Sequence, residues 1–219
     1  MLGTIVGRGL TMEAEVAALE RPPEPVGRDE LWVHFEAASD DLQQNLRGTS
    51  PDTPAWTWSD QQTVGFILRR QAHEALIHRL DAELTMGERT PMDAGLSTDG
   101  VDEALGFIGS GAPPWDHFLP EPAKTIQVRT SDTDRSWLVT LGQLSGTDDG
   151  RQHDEPCLQV VASGCGTSDA SQPAAATISG TAADLDCLLW HRPTMGQIEW
   201  AGDPLVLDRL KEIIAHAQD

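Results

Sequence analysis

Residues 56–87, WTWSDQQTVGFILRRQAHEALIHRLDAELTMG, carry the longest uninterrupted helical pattern in this 219-residue chain. Val64, Ile67, Leu68, Ala72, Leu76, Ile77, Leu80 and Leu84 recur at three- and four-residue steps, the spacing of one apolar stripe. Ser59 with Gln62 three residues on reads as a capping box, which predicts a helix start near Asp60. Gly87 supplies a left-handed stop. At ~1.5 Å per residue this rod is on the order of 40 Å long, suited to a helical bundle.

The same stretch holds the chain's one cluster of metal-capable side chains, His73-Glu74-Ala75-Leu76-Ile77-His78-Arg79-Leu80-Asp81. Five residues of helix leave His73 and His78 roughly 140° apart, too far round to share an ion. Glu74 and His78 are four apart and differ by only ~40°, so a carboxylate and an imidazole fall on one face. Asp81 lies within ~20° of Glu74 on that wheel, where it could accept a hydrogen bond from the histidine's other nitrogen. A third histidine from a neighbouring helix would complete a site with an open coordination position, the pattern of catalytic rather than structural metal. Arg70-Glu74 and Glu74-His78 are equally ordinary i,i+4 pairs on a solvated face. Spacing leaves both readings open.

The blocks WTW and RRQAHEALIHRLD, taken together, resemble the long helix of the mycothiol-dependent maleylpyruvate isomerase family, part of the wider DinB-like group of metal-binding four-helix bundles. The likeness continues through STDGVDEALGFIGSG to SGTAADLDCLLWHRP and IEWAGDPLVLDRL, so it spans nearly the whole chain. It implies an α+β protein: a DinB-like four-helix bundle, then a small sterol-carrier-like domain with a mainly antiparallel sheet. It also implies that Glu74 and His78 bind a divalent metal, usually zinc, and that mycothiol is the thiol cofactor. The expected activity is that of a mycothiol-dependent metalloenzyme, adding or transferring a thiol at an electrophilic small molecule, as an isomerase or a thiol transferase. The metal would act there as a Lewis acid and lower the thiol's pKa.

The family's third ligand is a histidine in a pattern like HLGxxxR, and the opening Met1-Leu2-Gly3-Thr4-Ile5-Val6-Gly7-Arg8 resembles that pattern with Met1 in the histidine's place. A thioether is a poor substitute for imidazole on zinc. The expectation is therefore of a bundle incomplete at its N-terminus. Either the start is mis-assigned, or this is a relative that has lost its site. The alternative function is a non-catalytic, metal-poor bundle working as an interaction module.

Net charge is −20, from 35 acidic and 15 basic residues, with no basic cluster, which argues against nucleic acid or an anionic membrane as partner. Such a balance is awkward for an anionic substrate too, so Arg70 or Arg192 would have to offset it locally. No apolar run approaches a membrane span and no signal pattern opens the chain, so the reading is cytoplasmic, with a small molecule as substrate. Cys157, Cys165 and Cys187 are odd in number and lack a CxxC, reading as small apolar residues rather than a disulfide framework.

Residues 1–19 are weakly helical because Gly3, Gly7 and Gly9 interrupt them, and Pro22-Pro23-Glu24-Pro25 is a stiff connector. Residues 28–47 form a clearer helix with Leu31, Phe35, Ala38, Leu42 and Leu46 on one side, and His34 as a half-exposed filler. Trp56 and Trp58 brace the entry to the long helix. The composition shifts near residue 90, giving domains 1–92 and 93–219. In the second, 98–108 reads as a short helix, Thr181 caps another that runs through Leu185, Leu188 and Leu189 and ends before Pro193, and Pro204 opens a last one to about Ala217. Residues 125–129, 136–141, 157–162, 175–179 and 198–200 read as strands, and His117 and His191 as loop or helix-end residues. Gly164-Cys165-Gly166-Thr167-Ser168 reads as a hairpin loop, since a phosphate loop needs a lysine. A three-helix bundle leaves one apolar groove uncovered. The expected outcome is a less stable chain than its relatives, or a homodimer through that face; a cooperatively melting monomer on size-exclusion chromatography would contradict it.

Overall fold

In the computed structural model the described residues are 1–110, 116–148, 151–165 and 174–216. The chain divides into two compact units, Met1–Arg79 and Leu80–Asp219. The first is helical: α1 (Leu2–Arg8), α2 (Glu13–Ala17), α3 (Arg28–Arg47) and most of α4 (Val64–Thr85). The second holds the end of α4, then α5 (Ala94–Ser110), β1 (Asp116–Thr130), β2 (Arg135–Asp148), β3 (Arg151–Cys165), β4 (Ala176–Gly180), α6 (Ala182–Leu189), β5 (Glu199–Gly202) and α7 (Pro204–His216).

The helical unit closes around Ile5, Val6, Val16, Ala55, Val64 and Ile67, with Leu42, Leu46 and Trp56 packed on them. The glycines that weaken α1 as an isolated helix have a packing use. A Cβ on Gly3 would collide with Asp41, and one on Gly7 would lie 2.8 Å from the Asn45 side chain, so α1 lies close against α3. Asn45 seals the contact by donating to the Gly3 carbonyl at 3.1 Å.

The long helix starts later than the capping-box pattern predicts. The Gln62 side chain turns back, donating to the Thr57 carbonyl at 2.6 Å and accepting from the Thr57 N–H at 3.0 Å. That fixes 57–62 as a turn, and Thr63 caps the helix instead, its hydroxyl accepting from the Phe66 N–H at 3.2 Å. The C-terminus is as the sequence predicts. Gly87 has φ 70°, its N–H reaches the Leu84 carbonyl and the Glu88 N–H the Glu83 carbonyl, a Schellman stop.

The second unit is α+β. Its five-stranded sheet runs β3-β2-β1-β4-β5, antiparallel except for the parallel pair β1–β4. Ile126 and Val128 on β1, and Trp137, Val139 and Leu141 on β2, are all at most 1% exposed and alternate with less buried residues. That buried face meets Val101 and Leu105 of α5, Leu185 and Leu189 of α6, and Val206, Leu210 and Ile213 of α7 in one core. Each such side chain contributes about 1.5–3 kcal/mol by leaving water. The indole N–H of Trp137 donates to Asp102 Oδ1 at 2.8 Å and so ties β2 to α5. The strands are longer than their alternating patterns, and α5 starts earlier because Asp93 caps it, Oδ1 accepting from the Leu96 N–H at 2.8 Å. His117 lies within β1, not in a loop. Cys157 and Cys187 are buried as expected, but Cys165 is exposed at the end of β3. Residues 166–168 of the GCGTS segment and 111–114 of the Gly-Pro segment lie outside the described residues.

Gly202 ends β5 at φ 105°, and a Cβ there would sit 2.5 Å from the Ala175 carbonyl oxygen and 2.6 Å from the Ala176 Cα. Gly202→Ala is expected to cost on the order of 2 kcal/mol, because strained φ and a backbone clash add. Urea denaturation checks this, and an unchanged midpoint would refute it.

Candidate functional site

Helix α4 distributes its chemistry by its period. His73, Leu76, Ile77 and Leu80 are buried, at 1, 6, 6 and 0% exposure. A neighbouring strip runs through Ile67, Glu74, His78 and Asp81. It begins inside the helical core at Ile67 and emerges toward solvent, the Glu74 side chain 32% and the His78 side chain 65% exposed. His73, the nearest imidazole in sequence, goes into the interior instead.

Glu74 and His78 meet as the spacing requires: His78 Nε2 lies 2.9 Å from Glu74 Oε2. The other carboxylate oxygen, Oε1, is engaged by Arg70 Nη2. Arg70 therefore fixes the carboxylate with one oxygen turned toward the imidazole. Nitrogen and oxygen donors ~2.0–2.2 Å from a tetrahedral zinc ion stand about 3.3–3.6 Å apart, so the two side chains, now in direct contact, would have to open slightly to hold one ion. Among the described residues no group of three His, Cys, Asp or Glu side chains is placed to hold an ion. The pair supplies one oxygen and one nitrogen donor, in a contact that is equally that of an ordinary i,i+4 pair on a helix.

Asp81 is held by an arginine remote in sequence. Its Oδ1 accepts from Arg192 Nε at 2.9 Å and its Oδ2 from Arg192 Nη2 at 2.8 Å, a bidentate pair. Arg192 also donates from Nη1 to the Trp190 carbonyl. Its charge is answered inside the protein by Asp81 and is not left as an open counter-charge for an anionic substrate.

The turn that delivers Arg192 is built with care for its hydrogen bonds. Helix α6 ends with His191 at φ 56°, where the His191 N–H meets the Leu188 carbonyl and the Arg192 N–H the Cys187 carbonyl. The His191 ring is anchored by Nε2 donating to the Ile214 carbonyl at 2.9 Å. Arg89 braces the turn from the other side, donating to the Pro193 carbonyl and to Cys187 Sγ at 3.2 Å. Asp184 holds the segment after it, Oδ1 accepting from the N–H groups of Met195 and Gly196 at 2.7 and 3.0 Å. Burial tends to raise the Asp184 pKa, but the bonds from Gly196, Thr181 and Met195, with Arg89 nearby, hold it below the usual carboxylate value.

One group has no counterpart in the sequence reading. Asp186 on α6 is 1% exposed, packed where Gly100 of α5 leaves room; a Cβ on Gly100 would stand 2.7 Å from its carboxylate. Among the described residues neither Asp186 oxygen has a hydrogen-bond partner of normal geometry, although Ser97 lies close enough to favour the charged form. Burial, with Glu103 adding like charge, pushes its pKa up from 3.8 to about 7. No local pattern announces it, since a DLDCLL run reads as an exposed acid on an amphipathic helix.

The mycothiol maleylpyruvate isomerase N-terminal domain matches residues 6–83, and the C-terminal domain of the same family matches residues 96–209. The chain belongs to the mycothiol maleylpyruvate isomerase family. No curated protein and no solved structure matched the chain. Family membership covers both units, so Glu74 and His78 fall in the N-terminal domain's match and Arg192 in the C-terminal domain's. No described helix is long and apolar enough to cross a membrane.

A raised folded-state pKa at Asp186 means that the folded chain keeps a proton which the unfolded chain releases between about pH 4 and 7. Its contribution is favourable below that window and is lost as pH rises through it. Asp186→Asn should remove that slope, gaining on the wild type by on the order of a few kcal/mol toward pH 8. Urea unfolding at pH 5 and pH 8 is the check; an Asn variant with the wild-type slope would assign the dependence elsewhere.

Proposed function

We propose that the protein is a mycothiol-dependent metalloenzyme that adds or transfers a thiol at an electrophilic small molecule, with Glu74 and His78 as its protein metal ligands. The observation supporting this reading is the 2.9 Å approach of His78 Nε2 to Glu74 Oε2 on a strip of α4 that emerges from the core, in a chain of this family. When bound, a divalent ion such as zinc supplies Lewis acidity that generates thiolate near neutral pH. The chain's own residues prepare for it. Arg70 fixes one Glu74 oxygen, so the other points to His78 without a rotamer search.

A second reading, a metal-poor module that works by binding, is favoured by one observation: no third donor joins the pair among the described residues, and His78 is largely solvated. Metal analysis separates the two. The purified chain is expected to hold about one zinc per molecule, with His78→Ala weakening zinc affinity at least ~10-fold while the melting temperature stays close to wild type. Mycothiol-dependent turnover of maleylpyruvate, abolished in His78→Ala and in Glu74→Gln, would support the enzyme. Zinc bound equally by wild type and both variants, or by none of them, would leave the module.

A further inference from the structure

Helices α5 and α6 pack on each other along a short seam with a carboxyl group inside it. Ser97, Gly100 and Phe107 lie on one side of α5, and Asp186 and Trp190 are one turn apart on α6. Both ends of the seam are close: a Cβ on Gly100 would stand 2.7 Å from the Asp186 carboxylate, and the Phe107 and Trp190 ring centroids are 5.9 Å apart. Asp186 and Ser97 are 1% and 0% exposed. Among the described residues neither the carboxylate nor the Ser97 hydroxyl has a hydrogen-bond partner of normal geometry. An anion so placed is costly, and the groups around it do not offset its charge. The ionisable group that bears on it from α5 is Glu103, of like sign. Asp102 is turned to the Trp137 indole, and Asp99 lies ~100° round the helix from Gly100. Strand β4, also against α6, is ATISG and holds no ionisable side chain. On α6 itself, Asp184 is taken by Thr181, Met195 and Gly196. Arg89 donates to Cys187 Sγ and the Pro193 carbonyl, not to Asp186.

We infer that Asp186 is a proton-operated latch between α5 and α6: protonated, it lets the two helices close, and ionised, it parts them and loosens the turn that carries Arg192. The path from carboxyl group to turn is short. The Trp190 N–H donates to the Asp186 carbonyl at 3.1 Å and the Arg192 N–H to the Cys187 carbonyl at 2.7 Å, so the turn starts from the backbone of Asp186 and its neighbour. Arg192 in turn donates to the Trp190 carbonyl and to Asp81. Closing the seam requires the neutral acid, because the anion meets repulsion from Glu103 and no well-placed donor. Parting the seam admits water to the carboxylate and so favours the ionised form. Burial and Glu103 together place the change near neutral pH, at about 7. Gly100 is what lets the carboxyl group into the seam at all, since any Cβ there would occupy its space. The latch lies wholly within the second unit and stands whether or not Glu74 and His78 hold a metal.

Hydrogen exchange of the full chain tests this, read by NMR at the amides of Trp190, His191 and Arg192 and corrected for the intrinsic rise of exchange with pH. An opening that exposes Asp186 releases a proton held to about pH 7 in place of its ordinary 3.8. Protection at these amides should therefore fall ~10-fold between about pH 6 and pH 8. The same amides should exchange at least ~10-fold faster than those of β1 and β2, because the opening is local. Asp186→Asn, which cannot ionise, should hold protection level across that range. Glu103→Gln removes the like charge and lowers the folded-state pKa, so the fall should shrink to roughly 3-fold. Wild-type protection that is the same at both pH values overturns the inference. So does an equal fall in Asp186→Asn, or turn amides that exchange in step with the sheet, which would make the event global unfolding. Should Asp186→Asn fail to fold, Glu103→Gln decides alone, and a fall as large as that of the wild type overturns the latch.

Discussion

The 3.6-residue period of α4 is the constraint on which the rest depends. One rod, capped by Thr63 and stopped by Gly87, supplies side chains to both compact units. Its period sends Leu76, Ile77 and Leu80 inward and gathers Glu74, His78 and Asp81 on a strip beside them. Neither the interior nor the donor pair can be changed in register alone: sliding the sequence by one residue rotates every side chain by ~100° and takes both the apolar residues and the carboxylate off their faces. Insertion within this helix would therefore disturb chemistry and packing together.

The second unit solves a different problem, that of carrying an arginine on an irregular turn. Loops hold functional groups well only when their backbone polar groups are satisfied. Here the turn after α6 is held through Asp81, Arg89, Asp184 and the His191 ring, each meeting a different backbone or side-chain group. Left-handed φ at His191 carries a modest backbone penalty, on the order of 1 kcal/mol or more. The compensation is the ring's bond to the last helix. Cys187 belongs to the same device: it is fully buried, and burial pushes its thiol pKa up to about 11, so it packs and does not attack.

Much of this was legible in the residues, for identifiable reasons. The bounds of α3, the Gly87 stop, the Thr181 cap and Pro204 at the head of α7 all rest on local chemistry, so a local reading finds them. The start of α4 was not legible, because Gln62 could cap a helix or fold back on Thr57, and only the surrounding turn decides. The glycines of α1 read as helix breakers, whereas their role is set by α3, remote in sequence. Glu74 and His78 could be paired from spacing, since four residues of helix fix their separation. The Asp81–Arg192 pair could not, because its members lie 111 residues apart.

By itself, then, the sequence determined what repeats at short range: the helical period, the caps, the alternation of strands, and one carboxylate–imidazole pair. Tertiary structure alone decided which of those side chains meet water. It turned His73 inward and His78 outward, gave Asp81 to a distant arginine, isolated Asp186 behind a glycine, and left Trp32 and Phe35 bare. The physical reason is that burial and long-range pairing depend on which surfaces the whole chain brings together, and no window of a few residues contains that information.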